Sequence, residues 1–256
     1  LKGTLLIEGL GAAALALYFC PRLGLFKGLY YSVFHSVSAF CNAGFDLMGA
    51  ETPFSSLTAE AGNWYLNLVI MALIVIGGLG FFVWLDLLDS RFRFKNLRLH
   101  SKIVVFMTAV LLAGGALGLF LLELTGEAYE GMSLGDRILA SLFQSVTVRT
   151  AGFNTVDLAA LREGSIFLMI CLMVVGGSTG STAGGMKTTT AAVLVLSIFS
   201  TFRQKKNVEC FKRRLEDGIT RTASCIFMMY LILIILSTLV LSAAEGIPVL
   251  TAMFET

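Results

Sequence analysis

Charge is scarce in this chain of 256 residues, where Asp, Glu, Lys and Arg make up 14% against about 25% in a soluble domain. That shortage argues against a soluble enzyme. A hydrophobic fraction of 56% also excludes a disordered chain, which carries far less apolar surface. The formal net charge of +2 says little about partners, because it averages over both sides of any bilayer. Cysteine is no more informative. The five residues (Cys20, Cys41, Cys171, Cys210 and Cys225) show no C-x-x-C spacing, and their odd number and apolar settings argue against a disulfide framework or a zinc site. A leader with a small-residue cleavage site is also missing. Leu1 runs almost directly into an apolar stretch, so the chain is expected to be an internal piece of something longer. No Ser/His or paired-carboxylate constellation occurs, so no enzymatic activity is expected. The Gly-x-Gly-Asp of intramembrane proteases is absent too, since Gly78-Leu79-Gly80 is followed by Phe81.

What is present is long and apolar. There are 25 uncharged residues between Glu60 and Asp86, 20 between Lys102 and Glu123, and 23 between Arg221 and Glu245. A membrane-spanning helix needs about 20 mostly apolar residues, and the mean hydropathy is +0.83. The sequence therefore predicts an integral membrane protein with spans at 3–20, 62–85, 103–122, 164–202 and 222–244, the fourth broken at Gly176–Gly185. Two shorter apolar runs, 29–41 and 137–149, end in Asn42-Ala43-Gly44-Phe45-Asp46 and Thr150-Ala151-Gly152-Phe153-Asn154. Each is too short to cross and reads as a re-entrant pore helix followed by a loop. Such backbone is tolerated at membrane depth only where protein buries it or it lines a water-filled cavity.

Orientation follows from the basic residues. Arg91, Arg93, Lys95, Arg98 and Lys102 cluster in 86–102, and Arg203, Lys205, Lys206, Lys212, Arg213, Arg214 and Arg221 in 203–221. The segments 21–61 and 124–163 hold only five basic residues against a larger number of acidic ones. The excess of Lys and Arg places 86–102 and 203–221 in the cytoplasm, so both pore runs enter from outside.

The halves also match. Phe34-His35-Ser36-Val37 aligns with Phe143-Gln144-Ser145-Val146, Ala43-Gly44-Phe45 with Ala151-Gly152-Phe153, and Gly77-Gly78 with Gly176-Gly177. The unit is helix, pore helix, filter loop, helix. It occurs over 1–88 (pore helix and filter 29–46) and 89–202 (pore helix and filter 137–154). The basic loop 203–221 follows, and 222–256 begins a further copy, with Ala252–Thr256 at the start of its pore helix. Both units enter from the same side, which makes them parallel repeats about an axis along the membrane normal. Such a unit with glycine at the loop apex suits a pore in which backbone carbonyls replace an ion's hydration shell. The alternative at Gly44 and Gly152 is an ordinary turn in an external loop.

The run Phe34 to Asp46 (FHSVSAFCNAGFD) resembles the second pore loop of the Trk/Ktr/HKT superfamily of potassium transporters, and Gln144 to Thr155 (QSVTVRTAGFNT) the third. Gly176 to Thr188 (GGSTGSTAGGMKT) is similar to the broken helix after that third loop, in wording nearest the Ktr-type membrane subunit. The resemblance implies an all-α membrane protein with helix–pore helix–filter loop–helix repeats around a pseudo-fourfold pore, of which this chain holds the second and third repeats and the first helix of the fourth. It implies a K+ site at the carbonyls of Asn42, Ala43 and Gly44 in one quadrant and of Thr150, Ala151 and Gly152 in another. K+ would be the transported ion, with Na+ as a possible second, and no covalently bound cofactor is expected. It also implies a homodimer on a cytosolic ring of nucleotide-binding RCK-type subunits; direct attraction to the membrane surface is the other account of the basic loops. No nucleic-acid partner is expected. The function implied is potassium uptake across the cell membrane. A sodium-permeable HKT-like transporter and a non-transporting structural membrane protein are the alternatives.

The stretch Gly176, Gly177, Ser178, Thr179, Gly180, Ser181, Thr182, Ala183, Gly184, Gly185 has poor helix propensity, so it is expected to unwind in mid-membrane. By resemblance it is the gating loop beneath the filter. Lys187 carries a charge that is costly at that depth, and it is expected to repel ions, to latch the loop or to snorkel to the cytoplasmic interface. Close helix packing through small residues is the alternative. A phosphate-binding loop is disfavoured because Met186 separates Gly185 from Lys187. Arg149 is expected to pair with an acidic or carbonyl group behind its loop, and Glu8 to hydrogen-bond within the bundle. Asp46 and Asp157 are expected near the outer mouth, as cation-attracting groups or as solvated loop charge. Neither His35 nor His100 is read as a ligand.

Overall fold

The apolar runs fold into helices, and glycines or capping side chains turn the chain between them. The computed structural model describes residues 2–50, 53, 55–205, 207–211 and 213–256; Leu1 and the loop residues Lys206 and Lys212 lie outside the described residues. Helix α1 (Lys2–Leu23) reverses at Gly24, φ 80°, into α2 (Leu25–Phe40). The two pack closely because Gly28 carries no side chain, and a Cβ there would lie 2.5 Å from the Cys20 Cα. Helix α3 (Trp64–Leu79) begins on Asn63, whose side-chain oxygen accepts the Leu66 N–H at 3.1 Å, satisfying one of the donors a helix start leaves free. There follow α4 (Phe81–Asp89), α5 (Leu99–Leu122), α6 (Leu134–Thr147), α7 (Glu163–Val174) and α8 (Thr188–Phe202). Strands β1 (Glu209–Cys210) and β2 (Arg213–Arg214) form a small antiparallel hairpin in the basic loop, before α9 (Asp217–Glu245) and α10 (Val249–Glu255). The chain is an all-α membrane protein. Lys2–Leu23, Leu99–Leu122 and Gly218–Glu245 are each long and apolar enough to cross a bilayer.

The stretch expected as one span at 62–85 is two helices, α3 and α4, bent by 94° at Gly80. Gly80 has φ 91°, a conformation that other residues rarely adopt. The Phe81 N–H then leaves the helix and donates to the Gly180 carbonyl at 2.9 Å, while the Trp84 indole donates back to the Ile76 carbonyl at 2.9 Å. Hydropathy records that this stretch is apolar and carries no information about its direction.

The repeat is visible in hydrogen bonds as well as in sequence. Ser36 Oγ of α2 donates to the Glu8 carbonyl of α1 at 2.7 Å, and Ser145 Oγ of α6 donates to the Leu112 carbonyl of α5 at 2.9 Å. A glycine faces each serine, and a Cβ at Gly11 or Gly115 would overlap the hydroxyl. The same glycine–serine pair therefore seats each pore helix on its outer helix.

One buried carboxylate closes the end of the second repeat where α5 gives way to α7. Glu123, 0% exposed, accepts the Arg162 N–H at 2.8 Å and the Ser165 hydroxyl at 2.5 Å, so it caps α7 from the end of α5. Negative charge at a helix N-terminus is favourable. Glu123→Ala would strip both donors of their partner, and it is expected to destabilise the protein by about 2–3 kcal/mol. A lowered thermal midpoint in detergent would register that loss, and an unchanged midpoint would contradict it.

Candidate ion filter and the loop beneath it

Both pore helices end where the filter glycines begin. After α2, Asn42 and Gly44 have φ 51° and 72°; after α6, Thr150 and Gly152 have φ 70° and 95°. The two loops thus share one alternation of left-handed residues, with glycine at the outer position of each.

The N–H groups show which way the carbonyls face. Ala43 N–H donates to the Ser38 carbonyl at 2.9 Å, Ala151 N–H to the Thr147 carbonyl at 2.9 Å, and Gly152 N–H to the same Thr147 carbonyl at 3.3 Å. Each of these N–H groups is tied back to its own pore helix. No peptide bond among the described residues is cis, and in a trans peptide the C=O points opposite to the N–H. The carbonyls of Asn42, Thr150 and Ala151 therefore point away from the pore helices. None of the carbonyls of Asn42, Ala43, Gly44, Thr150, Ala151 or Gly152 accepts a hydrogen bond among the described residues. Their neighbours are occupied: Phe40 by Thr182, Phe45 by Ser38, Phe153 by Thr147. A row of unpaired carbonyls at the C-terminal, partially negative end of two helices is an environment suited to a cation.

The two loops converge. A Cβ built on Gly44 would overlap the Ala151 carbonyl oxygen and lie 2.8 Å from the Gly152 Cα, while one on Gly152 would lie 3.4 Å from the Gly44 Cα. Residues 108 positions apart in sequence therefore meet at one place. The carboxylates that follow the two loops are used locally: Asp46 Oδ1 accepts the Met48 N–H at 2.9 Å and Asp157 Oδ1 the Ala159 N–H at 2.9 Å.

The chain between α7 and α8 is unwound, which removes helix–helix packing as the reading of its small residues. Its ends pair, Gly176 N–H with the Met186 carbonyl at 3.0 Å and Thr188 N–H with the Gly177 carbonyl at 3.1 Å. The loop these pairs close touches both filters. Thr182 Oγ1 donates to the Phe40 carbonyl at 2.9 Å, and Gly184 N–H donates to Thr150 Oγ1 at 3.2 Å. It also rests on the bend of the first repeat, with Ser178 N–H on the Gly78 carbonyl at 3.0 Å and Thr182 N–H on the Gly77 carbonyl at 3.3 Å. Gly176 allows the loop to close, since a Cβ there would overlap the Gly184 carbonyl. Thr179 and Gly180 face the start of α4, where a Cβ on Gly80 would lie 2.9 Å from the Thr179 oxygen, while Ser181 Oγ donates to the Ser178 carbonyl at 2.7 Å within the loop. Gly185 has φ 69°.

Arg149 is buried, and its Nη2 donates to the Gly176 carbonyl at 3.0 Å, so it joins the second filter to the loop entrance. Lys187 folds its ammonium onto the Ala183 carbonyl at 3.0 Å, a contact within the loop. Glu8 accepts from the Cys41 thiol at 3.8 Å, a contact between α1 and the end of α2 that is exposed in this chain. His100 has an unpartnered Nε2 among the described residues. The sequence showed no role for His35, because both its partners are backbone atoms: the Leu47 N–H at 3.3 Å, and the Tyr31 carbonyl at 2.7 Å. The contact of Thr182 with Phe40 was equally unreadable, since nothing local in either segment encodes it.

Comparison with known proteins gives a consistent picture. Residues 6–256 match the family described as TrkH, cation transport protein. The chain is 41% identical over 248 residues to the potassium/sodium uptake protein NtpJ of Enterococcus hirae, covering 97% of this chain and 54% of that protein. It is 37% identical over 251 residues to the Ktr system potassium uptake protein B of Bacillus subtilis, covering 98% and 55%. Its fold is similar to the crystal structure of the potassium transporter TrkH from Vibrio parahaemolyticus, with a TM-score of 0.75 at 21% identity, over 97% of this chain and 51% of that one. The chain thus spans about half the length of the relatives it matches.

Proposed function

The chain belongs to the TrkH family of cation transport proteins, and on that premise we propose that it supplies half of a pseudo-fourfold pore for potassium uptake across the cell membrane. One observation carries the reading: two converging loops tie their N–H groups back to the pore helices and leave their carbonyls unpaired. Such carbonyls can replace water around a monovalent cation without adding fixed charge. Potassium is the proposed ion because the uptake proteins most extensively matched are named for it. Potassium moves inward down its electrochemical gradient. Sodium is the second ion to test, since the Enterococcus relative is named for both.

The loop from Gly176 to Lys187 is the gate in this proposal. Its contacts with Phe40 and Thr150 support this reading, in which it lies at the inner end of both filters and obstructs the path until it moves. The apolar surface around Val33, Val37 and Phe45, which is exposed in this chain, faces a further quarter of the pore. The basic loops 86–102 and 203–221 lie in the cytoplasm. There they meet a nucleotide-binding RCK-type ring, on which two pore subunits sit as a homodimer; the name of the Bacillus relative, part of a Ktr system, agrees with a partner subunit.

The test is growth of a potassium-uptake-deficient strain at limiting potassium, using the full-length protein. Rescue is expected. Gly152→Ser forces a side chain onto φ 95° where space remains, since the nearest atom is the Gly44 Cα at 3.4 Å. A strain of about 1–3 kcal/mol at such a conformation is enough to lower K+ over Na+ preference several-fold while some transport persists. The filter assignment fails if that preference is unchanged.

A further inference from the structure

The two filters are held from behind in different ways. One attachment is common to both: Ser38 Oγ donates to the Phe45 carbonyl at 2.6 Å, and Thr147 Oγ1 to the Phe153 carbonyl at 2.7 Å. The first filter has a second attachment. Tyr31 and His35, one turn apart on α2, both reach Leu47, three residues beyond Gly44. The Tyr31 hydroxyl donates to the Leu47 carbonyl at 3.1 Å, and the Leu47 N–H donates to His35 Nε2 at 3.3 Å. His35 Nδ1 lies 2.7 Å from the Tyr31 carbonyl. A carbonyl only accepts and an amide N–H only donates, so the imidazole is the neutral Nδ1–H tautomer, with Nε2 as acceptor. The ring is fully buried and stacked on Phe19 at 5.3 Å, which fixes its plane.

The corresponding places in the second repeat are Ala140, Gln144 and Thr155. Ala140 has no hydroxyl. Gln144 is 1% exposed, yet neither its amide nitrogen nor its oxygen has a partner among the described residues, and the Thr155 hydroxyl has none either. The first filter is therefore anchored by its own pore helix on both sides of Leu47, whereas the second is held from the other repeat, where the Asn154 N–H donates to Ser56 Oγ at 3.1 Å and the Leu57 N–H donates to the Asn154 carbonyl at 2.9 Å.

We propose that Tyr31 and His35 form a two-point clamp on the backbone at Leu47, and that they are positioning residues through which the first filter rejects the smaller cation. The proposal rests on the filter assignment above. A sodium ion is satisfied only if the carbonyls draw in more closely than they do around potassium. Fixing the chain just beyond Gly44 limits how far the Ala43 and Gly44 carbonyls can follow, so sodium is left under-coordinated.

Two measurements on the full-length protein test this. The first is amide hydrogen exchange over residues 45–49. His35→Leu removes the acceptor and is expected to speed exchange at Leu47 by about ten-fold. The second is the ratio of potassium to sodium uptake, corrected for protein in the membrane. His35→Leu is expected to lower that ratio about five-fold and Tyr31→Phe, which deletes a single hydroxyl, about two-fold. His35→Gln, whose amide oxygen reaches as far as Nε2, is expected to keep the ratio near wild type. Unchanged exchange in His35→Leu overturns the clamp. Faster exchange with an unchanged ratio in both His35→Leu and Tyr31→Phe overturns its part in ion discrimination. Exchange is read without transport, so the clamp and the proposed substrate are judged separately.

Discussion

Gly44→Ala is expected to abolish potassium uptake by the full-length protein while leaving the amount in the membrane near normal. Gly44 has φ 72°, so any side chain is strained there. The larger effect is steric: the new Cβ would overlap the Ala151 carbonyl oxygen and stand 2.9 Å from the Ala151 carbonyl carbon. These are backbone atoms of the opposing filter and cannot rotate aside as a side chain would. Relief requires the two loops to part, which displaces a coordinating carbonyl. A clash of this kind costs several kcal/mol, and each 1.4 kcal/mol is about a tenfold change in rate or binding, so a loss beyond about a hundred-fold follows. Gly9→Ala is the matched control. Nothing lies within 4 Å of a Cβ there, and alanine is the better helix former. Rubidium tracer uptake, normalised to protein, reads both variants. Uptake by Gly44→Ala above about a tenth of wild type would sink the assignment of Gly44 to the ion path.

Arg149→Met is expected to raise uptake, by about ten-fold at saturating potassium. The guanidinium is 7% exposed and makes one side-chain hydrogen bond, to the Gly176 carbonyl, with Nε unpartnered among the described residues. Methionine keeps much of the volume and removes a buried charge with a single neutral partner, an exchange that proteins often tolerate without loss of stability. The loop entrance loses its strut, and a positive charge leaves the vicinity of a cation path; both changes favour flux. Arg149→Lys separates the two causes. It retains the charge but lacks the planar fork, so uptake near wild type would identify the charge as the restraint, and uptake like that of Arg149→Met would identify the strut. Uptake lower than wild type in Arg149→Met, at equal protein, would mean that Arg149 supports the filter instead of restraining the loop.

Much of this architecture is legible in the sequence, for a definite reason. The two converging glycine turns announce themselves because glycine is required where two backbones meet, and Gly44 and Gly152 recur in the same short context. The break at Gly176–Gly185 is readable from propensity alone, since five glycines and four hydroxyl residues in ten cannot hold a helix. What stayed hidden depends on direction or distance. The bend at Gly80 lies in an unbroken apolar run. The seat of Thr182 on Phe40 joins segments 142 residues apart in the chain. His35 looked like a histidine without partners because both its partners are main-chain atoms, which a sequence never displays.

Cys41 and Arg149 occupy the same place in the two repeats, each directly before the filter triplet. In a ring of identical subunits a substitution made once is made in every subunit, and an arginine at this place would surround the cation path with positive charge on all sides. With unlike quarters fused into one polypeptide, the charge can be placed once, where it holds the loop, and left out elsewhere. A duplicated gene can then evolve its quarters separately, giving one a rigid clamp and another a cationic strut. That division of labour is closed to a pore assembled from copies of a single repeat.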